Sequence, residues 1–461
     1  MSQKRFINLL ALSTVMTYVI IVVGATIAVT DIGSACQTWP TCNGELFVPL
    51  DNTPLAVAWG YRVFVIITAL VIGVTTLVGL TSDIPGKVKY ALVSSSVLYP
   101  VQIWIGALVV TGGPSIIPAL HLLVAMVIFS GLLVALTWAL ESSEVPAEDN
   151  PSGIREEEKE AVSASENSQA SPWTLRHKLK AYVSLTKPRL MWLLCLVALA
   201  GMGIAAGSNL KLMTVVATLT GGVLAIGASG TFNHVIERDI DRKMNRTSDR
   251  PLVENRIPVR NALAFGGLLT VASLTVFVLL VNVLAAVLGL IAILFYSVVY
   301  TVILKPHTKR NIVIGGAVGA MPALIGWAAV TEHIGLPAVV LGGVIFLWTP
   351  AHFYNLALAY KEDYARGGFP MLPVVKGEKV TRRHILLYLG ATLLSAGVLG
   401  AVAPLGWIYA GTTVVVGALF IWAVMRLYHE RTDEAALRSF YASNAYLGAV
   451  LIAIVVDTIL L

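Results

Sequence analysis

Between Ala228 and Leu252 the chain reads ASGTFNHVIERDIDRKMNRTSDRPL, an apolar segment running out into a strongly charged one. Asn233, Glu237 and Asp241 recur every four residues. On a helix each turns only about 40° from the last, so the three share a face. Arg242, Lys243, Arg246 and Arg250 follow, the last directly before Pro251. Carboxylates beside guanidinium forks can hold a divalent metal and a polyphosphate together, the acids on the metal and the forks on phosphate oxygens. The plainer alternative is a positively charged cytoplasmic loop whose acids and bases pair along a helix. A second stretch, YKEDYARGGFPMLPVVKG from Tyr360, leaves another apolar segment with Lys361, Glu362, Asp363 and Arg366. Two such exits in one chain read as facing halves of a single site.

The elements that must position these residues are membrane spans. Of 461 residues, 57% are hydrophobic and 13% charged, about half the ~25% charged residues of soluble domains. That excludes two or three soluble domains and predicts an all-α polytopic membrane protein. The net charge of +6 then reflects cytoplasmic loops and gives no reason to expect nucleic acid. Apolar runs long enough to cross a bilayer fall near 6–29, 57–80, 88–111, 117–139, 189–208, 212–233, 260–281, 283–304, 311–330, 336–358, 384–403, 405–427 and 440–460, thirteen in all. The least defined junction is at Asn282, where two runs are joined by almost nothing. Alternate loops collect Lys and Arg, while the opposite loops hold only Lys211. This places the N-terminus and both acidic exits in the cytoplasm and the C-terminus outside a cell membrane. The Glu-, Ser- and Ala-rich segment 141–178 is expected to be a disordered linker. It divides a four-helix module, 1–140, from a nine-helix module, 179–461, and as a flexible tether would let them touch or part.

The two charged stretches, N-x-x-x-E-x-x-x-D-x-x-M-x-R-T-x-x-R-P (Asn233 to Pro251) and FLWTPAHFYNLALAYKEDYARGGFPMLPVV (Phe346 to Val375), resemble the UbiA superfamily of intramembrane prenyltransferases, and within it the protohaem IX farnesyltransferase, or haem O synthase, family. LTKPR (Leu185 to Arg189) and YSVVYTVILKPHTKRNIVIGGAVGAMPALIGW (Tyr296 to Trp327) fit the same pattern, with Glu237 where the superfamily usually has Asp. The resemblance covers Leu185 to Leu461. It implies a nine-helix bundle that moves the farnesyl group of farnesyl diphosphate onto a vinyl group of haem B, giving the hydroxyethylfarnesyl side chain of haem O. It also implies Mg²⁺ held by Asn233, Glu237, Asp241, Glu362 and Asp363, with Lys187, Arg189, Arg246, Arg250, Lys361 and Arg366 on the diphosphate. His352, in TPAHF, is either a haem contact or a helix-to-helix hydrogen bond. His234 and His307 are expected to be solvated. A quinone precursor or lipid head group is the alternative acceptor. A transporter would want inverted repeats and midplane charges, which are not evident.

The N-terminal module carries DIGSACQTWPTCNGELFVP, VQIWIGALVVTGG and ALHLL, and resembles half of the haem A synthase family. That family's haem ligands imply His121 as a candidate. At the other ligand position Tyr61 precedes Arg62, so an independent haem A synthase activity is not expected of this half. A helix-end histidine at the interface is the competing reading of His121. Cys36 and Cys42, on the outer face, make a disulfide plausible, whereas Cys195 lies within a span. The module is expected to handle haem or to assist assembly. Its candidate partners are a haem A synthase, respiratory-oxidase assembly factors or a second copy of this chain, among membrane lipid.

Overall fold

The computed structural model describes residues 3–30, 32–49, 51–143 and 174–460. The expected linker lies outside the described residues from 144 to 173; at its far end Leu175–Leu185 is helical, a correction to disorder through 178. Apolar character fixes the rest. Thirteen helices are long and apolar enough to cross a membrane. They are α1 (Gln3–Val29), α2 (Thr53–Thr81), α3 (Gly86–Val110), α4 (Ile117–Ser142), α5 (Pro188–Ala206), α6 (Leu212–Ile236), α7 (Val259–Leu280), α8 (Val283–His307, regular α-helix as far as Leu294), α9 (Asn311–Thr331), α10 (Leu336–Ala359), α11 (Leu372–Val402), α12 (Trp407–Glu430) and α13 (Asp433–Leu460). No strand is found among the described residues. The protein is an all-helical multi-pass membrane protein.

Three features depart from straight α-helix. The tight junction at Asn282 works because its side chain does two tasks. Its Oδ1 accepts from the Ala285 amide at 2.8 Å, capping α8, and its Nδ2 donates to the Ala328 carbonyl of α9 at 2.8 Å. Farther on, α8 continues as a π-helix over Phe295–Leu304. This widened turn carries Tyr296, Tyr300 and Thr301 toward the end of α6. π-Turns of this kind concentrate at functional sites. The final approach to α11 breaks at Gly377, whose φ of 80° only glycine adopts readily. A short helical turn from Leu372 precedes the break, and the continuous span runs from Glu378, near the expected 384.

The two halves do not hang apart. One hydrophobic core runs through both, from Leu10, Tyr18 and Phe129 to Leu393, Phe420 and Val450. Helices α1 and α4 lie on α11 and α12 where glycines leave room: Leu133 against Gly390, Ile21 against Gly397 and Tyr18 against Gly417. Small residues allow such close approach where helices meet in lipid. At one edge Arg383 holds Glu141, with an Nη2–Oε2 distance of 2.8 Å and a second bond from Nε. This bidentate, partly buried pair is the geometry in which an ion pair is strongest. A Cβ at Gly390 would run into Leu133. Gly390→Val should therefore lower stability by about 1–3 kcal/mol through overpacking, read as an earlier thermal unfolding transition in detergent. An unchanged transition would mean the halves are not docked along this seam.

Candidate active site

Helix α6 ends at Ile236 with Glu237 as its cap, and a short helix, Arg238–Asp241, carries the same face onward. Asn233, Glu237 and Asp241 thus remain aligned, and all three are buried. Each meets a cation or a donor brought from elsewhere. Lys305, at the end of the π-helix stretch, lies 2.5 Å from Glu237 Oε1. Arg250 bridges the two acids, 2.5 Å from Asp241 Oδ2 and 3.9 Å from Glu237 Oε2. Lys187 donates to the Asn233 carbonyl oxygen and, at 3.3 Å, to the Tyr296 hydroxyl. The Asn233 amide then donates to Thr301 Oγ1 at 3.1 Å. Lys187 reaches the cluster because its own φ is 55° and because Gly230 lets the Leu185–Thr186 backbone lie against α6. Three cations therefore surround two carboxylates.

The electrostatics follow from that count. Burial would raise the Glu237 carboxyl, but Lys305, Lys187 and Arg250 together hold it below its ordinary value. At Asp241 burial outweighs Arg250, and the carboxyl lies above its ordinary value. Lys187 is pushed down to about 7 by burial, against the pull of Glu237. Its charge is therefore present below pH 7 and lost as pH rises through about 7. Pyrophosphate affinity should fall across that range and flatten in Lys187→Arg, whose guanidinium stays charged. A matching slope in both proteins would assign the titration elsewhere.

Behind Lys187 an apolar cavity of about 800 Å³, counting its open mouth, runs down among α5, α6, α8 and α9. Lys187 and Tyr296 stand at one end, and Leu194, Ile226, Val318 and Ile325 line its length. A cation cluster at the mouth of a greasy slot suits an amphiphile with an anionic head.

The profile of the UbiA prenyltransferase family matches residues 194–447. A protoheme IX farnesyltransferase of Haloarcula marismortui is 54% identical over the whole chain and 99% of its own length. The chain belongs to the UbiA prenyltransferase family. A second relative, protoheme IX farnesyltransferase 1 of Saccharopolyspora erythraea, is 45% identical over 302 residues, 65% of this chain and 96% of its own. Among solved structures, a study of digeranylgeranylglyceryl phosphate synthase provides a chain with the same fold. It aligns at TM-score 0.50 and 21% identity over 62% of this chain and 99% of that one.

Within this UbiA-family site the second charged exit plays another part. Asp363 is buried and accepts from the Asn245 and Arg246 amides at 3.2 and 3.1 Å and from Arg366. Those bonds hold its carboxyl below its usual range, against burial. Asp363 so fastens the 241–250 turn, and Arg246 lies over the Tyr360 and Tyr364 rings at 5.1 and 5.6 Å. Glu362 is exposed. Lys361 pairs with Glu378 at 3.0 Å. Arg189 is exposed at the start of α5. The structure thus gathers Asn233, Glu237, Asp241, Arg250 and Lys187, sets Arg246 and Asp363 behind them, and leaves Glu362, Lys361 and Arg189 outside.

One histidine, His234, departs from expectation, and His307 is exposed as expected. His352 is stacked between Trp348 and Phe440, with centroids 4.3 and 4.2 Å away, and its Nδ1 lies 2.6 Å from Ser443 Oγ. That is the helix-to-helix reading of the residue. His234 is buried with Nδ1 lacking a partner, a correction to the solvated placement. His121 is half-buried, with the Gln102 amide within 3.0 and 3.1 Å of its ring nitrogens. On the same module Cys36 and Cys42 form a disulfide. Arg62 braces that loop through the Cys36, Thr38 and Thr41 carbonyls at 2.7–2.9 Å, and Tyr61 packs on Gly24 of α1. Sequence reasoning missed Lys305, Tyr296 and Thr301. All three lie in the YSVVYTVILKPH stretch, whose lysine before proline was the available signal; its π-turn was not.

Proposed function

We propose that this prenyltransferase converts haem B to haem O, using farnesyl diphosphate as donor. The observation that carries the reading is the buried, net-positive cluster of Lys187, Arg250 and Lys305 around Glu237 and Asp241 at the mouth of an apolar cavity. The acceptor rests on the relatives' names. The transferase unit is the nine-helix part, 179–461, supported by the family match at 194–447 and by the relative that spans only 65% of this chain.

The residues fit Mg²⁺. Glu237 and Asp241 are hard oxygen donors one helical turn apart, and this ion is often carried by one or two carboxylates with substrate phosphates. Among the described residues no three His, Cys, Asp or Glu side chains gather to hold a metal. Further ligands would be other oxygens, the Asn233 amide oxygen, water or the diphosphate. Charge agrees: three cations less two carboxylates leave +1, and a divalent ion raises this to match the about three negative charges of a prenyl diphosphate. Bound there, Mg²⁺ supplies neutralisation of the leaving group's charge.

Lys187, Arg250 and Lys305 hold the diphosphate with its tail in the cavity. As the C1–O bond breaks, both bonding electrons leave with the diphosphate, and these cations stabilise the charge that develops on it. The Tyr296 ring stands where the allylic cation is left. The terminal vinyl carbon of haem bonds to farnesyl C1. Water then adds to the resulting benzylic-type cation and loses a proton, completing the hydroxyethylfarnesyl group.

The N-terminal module, docked through α1 and α4, presents haem to this unit or serves assembly, with His121 its candidate haem contact. The cytoplasm holds the N-terminus and the diphosphate site. Single cysteines near Ser208 and Thr331 should react with impermeant thiol reagents from outside, and ones near Thr247 and Gly368 should not; the reverse pattern would overturn the orientation. For the chemistry, purified protein is given farnesyl diphosphate with and without haem B. Diphosphate release should require haem, stop on chelation and return with Mg²⁺. Release indifferent to haem would remove the acceptor, and release indifferent to chelation would remove the metal.

A further inference from the structure

Beside the far end of the apolar cavity, backbone meets backbone. Helices α5 and α9 cross just beyond it with no side chain between them. A Cβ on Gly326 would run into the Ala198 carbonyl, and one on Gly201 would lie 2.6 Å from the Ala323 carbonyl. Ala198 is the deepest lining residue on α5, and Ile325, beside Gly326, the deepest on α9. On the facing wall, Thr218 is the deepest lining residue of α6. It is 1% exposed, and its hydroxyl has no hydrogen-bond partner. A buried threonine in a helix commonly bonds the carbonyl four residues back, so this one leaves its side chain turned to an apolar space.

Two helices measure the depth independently. From Lys187 to Ala198 along α5 is ~16 Å, and from Gly230 to Thr218 along α6 is ~18 Å, at 1.5 Å per residue. An extended prenyl chain advances ~1.25 Å per bond of ~1.5 Å, giving ~9 Å for geranyl, ~14 Å for farnesyl and ~19 Å for geranylgeranyl. Against this depth farnesyl ends ~2–4 Å short of the far end and geranyl ~7–9 Å short, while geranylgeranyl overruns it by ~1–3 Å.

We propose that the Ala198–Gly326 backbone crossing, with Thr218 and Ile325 lining it, sets the prenyl chain length this protein accepts. The inference rests on the reading of the cavity as the prenyl site. Because the stop is backbone, it cannot be moved outward by trimming a side chain, but it can be moved inward by adding one.

The test is a substrate series on the full chain, scored by prenyl transfer to haem and, without acceptor, by equilibrium binding of the diphosphates. Thr218→Phe and, from the opposite wall, Ile325→Phe should each shift the farnesyl-to-geranyl ratio of kcat/KM and of affinity toward geranyl by at least about 30-fold, the scale on which pockets discriminate lost space. Ile325→Ala should still reject geranylgeranyl diphosphate. Unchanged ratios in both phenylalanine variants, equal loss of both diphosphates, or free use of geranylgeranyl by Ile325→Ala would overturn the proposal. Length-dependent binding with no prenylated haem from the unaltered protein would leave this inference standing and remove the acceptor instead.

Discussion

Asp241→Ala should lower prenyl transfer by at least about 100-fold, the scale on which lost metal or leaving-group contacts act, while the protein still inserts and folds. Asp241 is buried, and its carboxylate lies on Arg250 and on the face it shares with Glu237. Removing it takes away an oxygen donor and releases Arg250 from its setting. Glu237→Ala should behave alike, since the same acid positions Lys305. Loss of activity should deepen at limiting Mg²⁺ if the acids share the ion. Transfer at the ordinary rate by either variant under limiting Mg²⁺ would remove the cluster from the chemistry.

Arg250→Ala should have the second large effect, and of a different kind. Among the described residues, Arg250 is the one side chain ion-paired with both acids. Without it, Asp241 keeps its burial and loses its counter-ion, and breaking a buried pair from one side costs about 3–5 kcal/mol. Both activity and thermal stability should fall, and lowering the pH should restore part of the stability as Asp241 takes up a proton. The sign follows from the direction at Asp241, whose carboxyl already lies above its ordinary value and would rise further without the guanidinium. Lys361→Ala and Glu362→Ala serve as controls. Both residues lie outside the cluster, so their transfer rates should stay within about threefold, as for an exposed ion pair. Equal losses in Arg250→Ala and these controls would mean that general surface charge, not this bridge, sustains the site.

The spans and the first charged face were legible because both depend on periodicity and length alone. Thirteen apolar runs became thirteen helices, and the four-residue spacing of Asn233, Glu237 and Asp241 survived a change from α6 to a separate short helix. What periodicity cannot convey is which way a short polar helix turns. Lys361–Arg366 sends Asp363 inward to the 245–246 amides and Glu362 outward, though the two are adjacent in sequence. Lys305 was visible only as a loop charge, because the π-turn that swings it onto Glu237 has no sequence signature. The seam between the halves was hidden as well. A polar, apolar-poor linker left the halves free to touch or part, whereas Gly390, Gly397 and Gly417 allow close contact, and a glycine in a span announces no partner.

The central claim is that one site takes farnesyl from its diphosphate and gives it to haem. Membranes containing this protein, offered haem B, quinone precursors and lipid together with labelled farnesyl diphosphate, test it directly once their pigments are extracted and separated. The account predicts label in a haem heavier than haem B by one farnesyl and one water, absent with Asp241→Ala. Label confined to the quinone or lipid fraction, with haem B unchanged, would contradict it.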